Sequence, residues 1–130
     1  MRVFFLFTLL SLSLVGCTTV PVPELAVTQI NQCAEPLGVS LKLNTLTITL
    51  GERPSLGYGV ELLSLEQKGE RLRLSYREKK PAQQNGKREK THPCVQLKLP
   101  NGWQILEVVE QDSGQRVRLT PKDDSLLGGQ

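Results

Sequence analysis

From residue 39 onward, apolar and polar side chains alternate with a period of two. Val39, Leu41 and Leu43 alternate with Ser40 and Lys42; Leu46, Ile48 and Leu50 alternate with Thr45, Thr47 and Thr49. Leu72, Leu74 and Tyr76 lie between Arg71, Arg73, Ser75 and Arg77, and Val95, Leu97 and Leu99 between Gln96 and Lys98. Val117 and Leu119 are spaced by Arg116, Arg118 and Thr120. Successive side chains of a strand point to opposite faces, so each run predicts a strand with one buried and one solvated face. Val60 to Leu65 and Ile105 to Val109 carry apolar residues on both faces, which suits central strands. Lys68-Gly69 and Asp112-Ser113-Gly114 predict reversals, and Asn101-Gly102 predicts a hairpin between Leu99 and Trp103. No segment holds a helical period over ten residues, and no internal repeat is visible. The pattern predicts an all-β domain at 27–120, a small antiparallel β-sandwich or partly open barrel of about seven strands. A polar loop at 81–90 interrupts it, and a polar tail at 121–130 is expected to fray.

The start of the chain has a different character. Arg2 is the sole charge in the first sixteen residues, and Val3 to Leu14 is an apolar run broken by Thr8, Ser11 and Ser13. Such a run has the length of a signal-peptide core and is too short to span a bilayer as a stable helix. It ends in Leu14-Val15-Gly16-Cys17, which resembles the lipobox of bacterial lipoproteins. That resemblance implies a signal peptide at 1–16 and a lipid-bearing Cys17, with diacylglycerol on the thiol and fatty acyl chains such as palmitate. Several acyl chains anchor firmly where one binds marginally. Residues 17–26, with Pro21 and Pro23, read as an extended tether. Thr18 after the cysteine resembles sorting to the outer membrane, on its periplasmic face, in a Gram-negative host.

Composition sharpens this picture. The formal charge is +3, or +2 once Arg2 leaves with the signal. That is too mild for nucleic-acid binding, which the compartment also argues against. Phe4, Phe5 and Phe7 all leave with the signal, so the core must be aliphatic, with Tyr58, Tyr76 and Trp103 as its large rings. With Cys17 lipidated, Cys33 and Cys94 remain in an oxidising compartment and are expected to pair; two buried free thiols are the alternative.

Catalytic signals are sparse. His92 and Cys94 in Thr91-His92-Pro93-Cys94 are two apart, the spacing of a shared strand face, but no orienting acid adjoins them. Pro93 suits an edge-strand entry. One histidine cannot build an ordinary zinc site beside paired cysteines. Glu24, Glu35, Glu52 and Glu61 are scattered, and the Asp123-Asp124 dyad reads as a solvated surface pair in the tail. Lys79, Lys80, Lys87, Arg88 and Lys90 flank the polar loop, where a solvated loop is the plain reading and contact with headgroups or an acidic partner the sharper one. No enzyme activity, cofactor or metal is expected.

One stretch stands out: Glu52-Arg53-Pro54-Ser55-Leu56-Gly57-Tyr58-Gly59-Val60, a tyrosine between glycines in a loop joining two strands. Pro54, Ser55, Leu56, Gly57, Tyr58 and Gly59 form the candidate partner-binding loop, with Tyr58 either capping the core or projecting to a partner. Residues 38–100 resemble the C-terminal domain of PrcB-type protease-complex subunits. The resemblance lies in a strand running into Gly-x-x-Pro-x-x-Gly-Tyr, a further strand at Arg71 to Arg77, Pro81, and a Thr-x-Pro element at Thr91 to Pro93 before Val95 to Leu99. Leu56 stands where that family commonly has glycine. The family is named for a lipoprotein subunit supporting a surface protease complex. The resemblance therefore implies a non-catalytic binding role toward an envelope protein, a protease among the candidate partners, at a membrane reached through Cys17. Pro54, Gly57 and Tyr58 also resemble the inhibitory loop of chagasin-type cysteine-protease inhibitors, so protease inhibition through Pro54–Gly59 is the rival reading. A structural or cell-envelope ligand-binding lipoprotein using the basic loop is the third.

Overall fold

A computed structural model describes residues 18–20, 26–82 and 89–125. The expected signal segment, Cys17 and residues 21–25 of the expected tether lie outside the described residues, as do 126–130. The strands are β1 (Thr18–Val20), β2 (Val27–Ile30), β3 (Gly38–Lys42), β4 (Thr45–Thr49), β5 (Gly59–Lys68), β6 (Arg71–Lys79), β7 (Cys94–Lys98), β8 (Ile105–Glu110) and β9 (Arg116–Leu119). They form a five-stranded sheet, β1-β5-β6-β8-β9, and a four-stranded sheet, β2-β7-β4-β3. The all-β sandwich-like architecture is as the alternation predicted, and no closed barrel forms among the described residues. The two short strands at the start, β1 and β2, are additions to the predicted set. Thr18–Val20, expected to be part of the tether, is extended and paired, with Thr18 opposite Gln67 and Val20 opposite Leu65.

Neighbouring strands are antiparallel except β6 and β8, which run parallel with Arg71 opposite Ile105. After β6 the chain crosses to the other sheet to make β7, then returns beside β6 in the same direction, the long crossover a parallel pair requires. This corrects the expected Asn101-Gly102 hairpin. The turn forms, but the strands on either side of it, β7 and β8, enter different sheets. Trp103, buried just after the turn, donates its indole N–H to Asn44 Oδ1 at 2.7 Å and draws the chain across the sandwich.

The two runs that are apolar on both faces lie inside their sheet, between β1 and β6 and between β6 and β9. In β5 a bulge between Leu62 and Ser64 shifts the register, so Leu62 before it and Leu65 after it both pack on the core. That core is aliphatic, built from Leu41, Leu46, Ile48, Val95 and Leu97 of one sheet and Val60, Leu65, Leu72, Leu74, Leu106 and Val108 of the other. Leu99 and Trp103 close one end of it. Each such side chain is worth about 1.5–3 kcal/mol relative to its exposed state.

Two further expectations change. Leu43, read as the inward end of a strand, sits with Asn44 in the β3–β4 hairpin turn, with φ of 47° and 59°, and is 56% exposed. Both central positions of this turn type need positive φ, which Asn tolerates and Leu accepts only under outside support. Asp124 supplies it. Its Oδ1 accepts from Leu43 N at 3.0 Å and its Oδ2 from Asn44 N at 2.7 Å. Asp124 is therefore no surface aspartate but 3% exposed, and the first half of the expected fraying tail is docked. A single 3₁₀ turn at Pro121–Asp123 sets it in place, with Asp123 Oδ2 accepting from Thr120 N at 2.7 Å.

Candidate binding site

The Pro54–Gly59 loop leaves β4 and enters β5 at one end of the sandwich. Its first half is held by the segment before β7. Arg53 N donates to Thr91 O at 2.8 Å and Thr91 N to Arg53 O at 2.9 Å, an isolated two-bond bridge. The buried Thr91 hydroxyl donates to Ser55 O at 3.1 Å, and Leu50 N to Pro93 O at 3.0 Å. Arg53 reaches the other sheet, where its Nε meets Glu78 Oε1 at 2.5 Å. The second half of the loop is held by shape. Gly57 has φ of 97°, and a Cβ there would lie 2.7 Å from Pro81 Cβ, so glycine is required both by conformation and by space. At the exit, exposed Gln29 on β2 donates its amide to Val60 O at 2.6 Å.

Behind Thr91 the bracing becomes covalent. Cys33 and Cys94 form a disulfide with Cα atoms 5.9 Å apart, tying the end of β2 to the start of β7. Cys33 N donates to His92 O and His92 N to Asn31 O. Because Cys94 is bonded to Cys33 and buried, it offers no thiolate, and His92 turns its Nδ1 toward Gln32 Oε1 at 3.3 Å. Pro93 precedes an interior strand, not an edge one, since β7 lies between β2 and β4.

What the loop presents is apolar. Pro54 and Leu56 are exposed, Leu56 at 47%, while Ser55, Tyr58 and Gly59 are half-buried. Tyr58 stands outside the side chains packed on the core, where the flanking ring is Tyr76. Burial, and secondarily Glu110, pushes the Tyr76 hydroxyl above its ordinary pKa.

The basic residues near the loop do not form one unopposed patch. Lys79 and Lys80 share a surface hollow with Glu61, Glu78 and Asp112, and Lys90 faces Glu52 at 3.8 Å. Lys87 and Arg88 lie outside the described residues. Arg77, hydrogen-bonded to Glu61 at 2.9 Å, holds that carboxyl below its ordinary range. Glu110 is held low chiefly by its hydrogen bond to Ser113. Among the described residues no three of His, Cys, Asp or Glu are grouped to hold a metal ion.

Sequence reasoning found the loop, Thr91 to Pro93 and Pro81 as parts of a pattern. It missed that Thr91 is the strut of the loop and that Gly57 and Pro81 are in contact. The signal for both was present only as spacing.

Residues 45–100 match the family model described as PrcB C-terminal. This segment is similar to a PrcB C-terminal domain. The match runs from β4 to just past β7, takes in the whole braced loop and its Thr91 strut, and bears out the resemblance read from the sequence. No curated protein and no solved structure matches the chain.

Proposed function

We propose that the protein is a lipid-anchored envelope lipoprotein whose PrcB C-terminal-like domain docks, without catalysis, onto another envelope protein and supports assembly or stability of a protease complex. The observation that carries this reading is the Pro54–Gly59 loop. Its backbone is fixed from behind by Thr91, Arg53 and Pro81, while Leu56 stands exposed at its tip. A loop ordered before binding loses little entropy on docking, and an exposed apolar tip supplies the buried centre of an interface. Support for the anchor is the Leu14-Val15-Gly16-Cys17 context behind a short apolar run.

The test is capture from membranes with the anchor intact. Leu56→Asp should lower recovery of the partner by about tenfold or more, the scale of a central contact, with the melting temperature unchanged. Unchanged recovery would move the contact away from this loop. Cys17→Ser should leave uncleaved or soluble protein, and normal membrane maturation of that variant would remove the lipoprotein reading. Inhibition of a purified cysteine protease, lost in Leu56→Asp, would replace assembly by inhibition as the role of the same loop.

A further inference from the structure

The end of the sandwich opposite the Pro54–Gly59 loop gathers the Leu43–Asn44 turn, the Gly69–Glu70 turn, the Asn101–Gly102 turn and the Pro121–Asp124 segment. Asp124 joins the first to the last, and Gln104 N donates to Glu70 O at 2.8 Å to join the middle two. The chain also enters the domain here. β1 runs antiparallel to β5, and its first residue, Thr18, lies opposite Gln67, one position before Lys68.

This end is charged differently from the other. Lys68, Arg71, Lys98 and Lys122 are all exposed at it, and none forms an ion pair among the described residues. Of its carboxylates, Asp124 is buried against the Leu43–Asn44 turn, Asp123 caps Thr120 N and Glu35 is paired with Lys42, which leaves Glu70, and Glu66 in a hollow with Lys68 and Arg71, at the surface against the four cations. At the loop end Arg53, Arg77 and Lys90 each hold a glutamate, and exposed Lys79 and Lys80 share a hollow with Glu61, Glu78 and Asp112; at the opposite end the one paired cation is Lys42, on Glu35, among the described residues. Leu43 projects from the tip of its turn at 56% exposure, at the same end of the sandwich as these cations.

Unpaired cations and a projecting leucine at one end of the domain suit an anionic lipid surface, where the ammonium and guanidinium groups meet phosphates and the leucine enters the interface. We infer that this end of the sandwich is a bilayer-docking face for anionic phospholipid headgroups, with Leu43, Lys68, Arg71, Lys98 and Lys122 as its contacts. β1 then acts as a fixed strut and not as a loose leash. It sets the domain base-down on the bilayer, and the Pro54–Gly59 loop stands off by the length of β5, roughly 30 Å. The inference rests on acylation of Cys17, proposed above.

The experiment uses the full chain matured in cells, extracted, and checked by mass for acyl chains on Cys17. A fluorophore is placed through Glu70→Cys or, separately, Leu56→Cys; Cys33 and Cys94 are engaged with each other and stay unlabelled. The protein is reconstituted into vesicles with brominated acyl chains, made of phosphatidylglycerol with phosphatidylcholine, or of phosphatidylcholine alone. The label at position 70 should be quenched at least threefold more than that at 56 in the anionic vesicles. That difference should shrink in phosphatidylcholine alone and in the Lys68→Glu, Lys98→Glu double variant, whose changes are exposed and break no ion pair. Equal quenching at the two positions, stronger quenching at 56, or a difference indifferent to lipid charge, with Cys17 acylated, overturns this inference and leaves the lipoprotein reading standing. A mature Cys17 without acyl chains overturns both.

Discussion

At one end of the sandwich the Pro54–Gly59 loop is held by a backbone bridge, a buried threonine, a cross-sheet ion pair, a glycine–proline contact and a nearby disulfide. At the other, the Leu43–Asn44 turn depends on the carboxylate of Asp124 and the Asn44 side chain, which donates to Leu99 O and accepts from Trp103. Both solve one problem, backbone polar groups in a sharp turn at the edge of an aliphatic core. The first solution is spread over several contacts, so the loss of one should loosen the loop without releasing it. The second concentrates on a residue distant in sequence, so a single change should release both the turn and the tail.

The largest effect expected is at the loop end. Replacing Cys33 and Cys94 by serine opens a loop spanning a sequence separation of 61 and should cost about 4 kcal/mol in chemical unfolding on the chain-entropy model. Amide exchange at Arg53 and Thr91 should rise with it, while Leu43 and Asn44 stay protected. A uniform rise at both ends would show that the ends are not separable.

Asp124→Ala should come next, at about 3 kcal/mol, since it leaves two turn amides without their charged acceptor. Exchange should now rise at Leu43 and Asn44 and leave Arg53 protected, the reverse of the disulfide variant. Unchanged stability would show that Asn44 alone holds the turn.

Gly57→Ala should cost about 2 kcal/mol, because it meets both a positive φ and Pro81. Gly69→Ala, also at positive φ but with open space around it, should cost about 1 kcal/mol. Equal costs for the two would mean that the Pro81 contact yields easily and that the loop is less fixed than its bonding implies.

The smallest effect is that of pH. Glu61 and Glu110, both near the loop end, have folded pKa values below their ordinary ones, through Arg77 and Ser113 respectively. A carboxyl lowered on folding adds stability above its unfolded pKa, about 4.3 for glutamate, and loses it as pH falls through the lower folded value. Both groups are well solvated, so the slope should be shallow. Melting temperature should decline gently as pH drops from about 4.5, and Glu110→Gln should flatten that decline. An unaltered profile in this variant would remove Ser113 as the cause.

Much of this fold was legible along the chain because alternation is a local consequence of the strand backbone. Seven strands, the Gly69 and Gly114 reversals and the buried faces of the inner strands could be read that way, whereas Val117 of edge strand β9, read as inward, is 40% exposed. The pairing of Cys33 with Cys94 followed from what remained after Cys17. The misreadings share a cause. Leu43 looked inward because its neighbours alternate, and Asp124 looked solvated because its neighbours are polar. Asn101-Gly102 looked like a hairpin because the turn chemistry is the same whether the next strand pairs with the last or crosses to another sheet. At the candidate site, the residues of the Pro54–Gly59 loop were visible as glycine and proline grammar. Their rigidity was not, because Thr91 and Pro81 act on the loop from far along the chain.

By itself the sequence determined an aliphatic all-β domain, the position of its exposed loop and a resemblance over residues 38–100, which the family match bears out at 45–100. Period-two burial, positive-φ turns and motif spacing are properties of neighbouring residues, and neighbours are what a sequence records. Only the tertiary structure decided that β6 and β8 run parallel, that Thr91 braces the loop, that Asp124 clasps the Leu43–Asn44 turn, and that β1 enters at the end opposite the loop. Each of these joins residues separated by tens of positions. Their geometry depends on how two sheets close over one core, which no local pattern encodes.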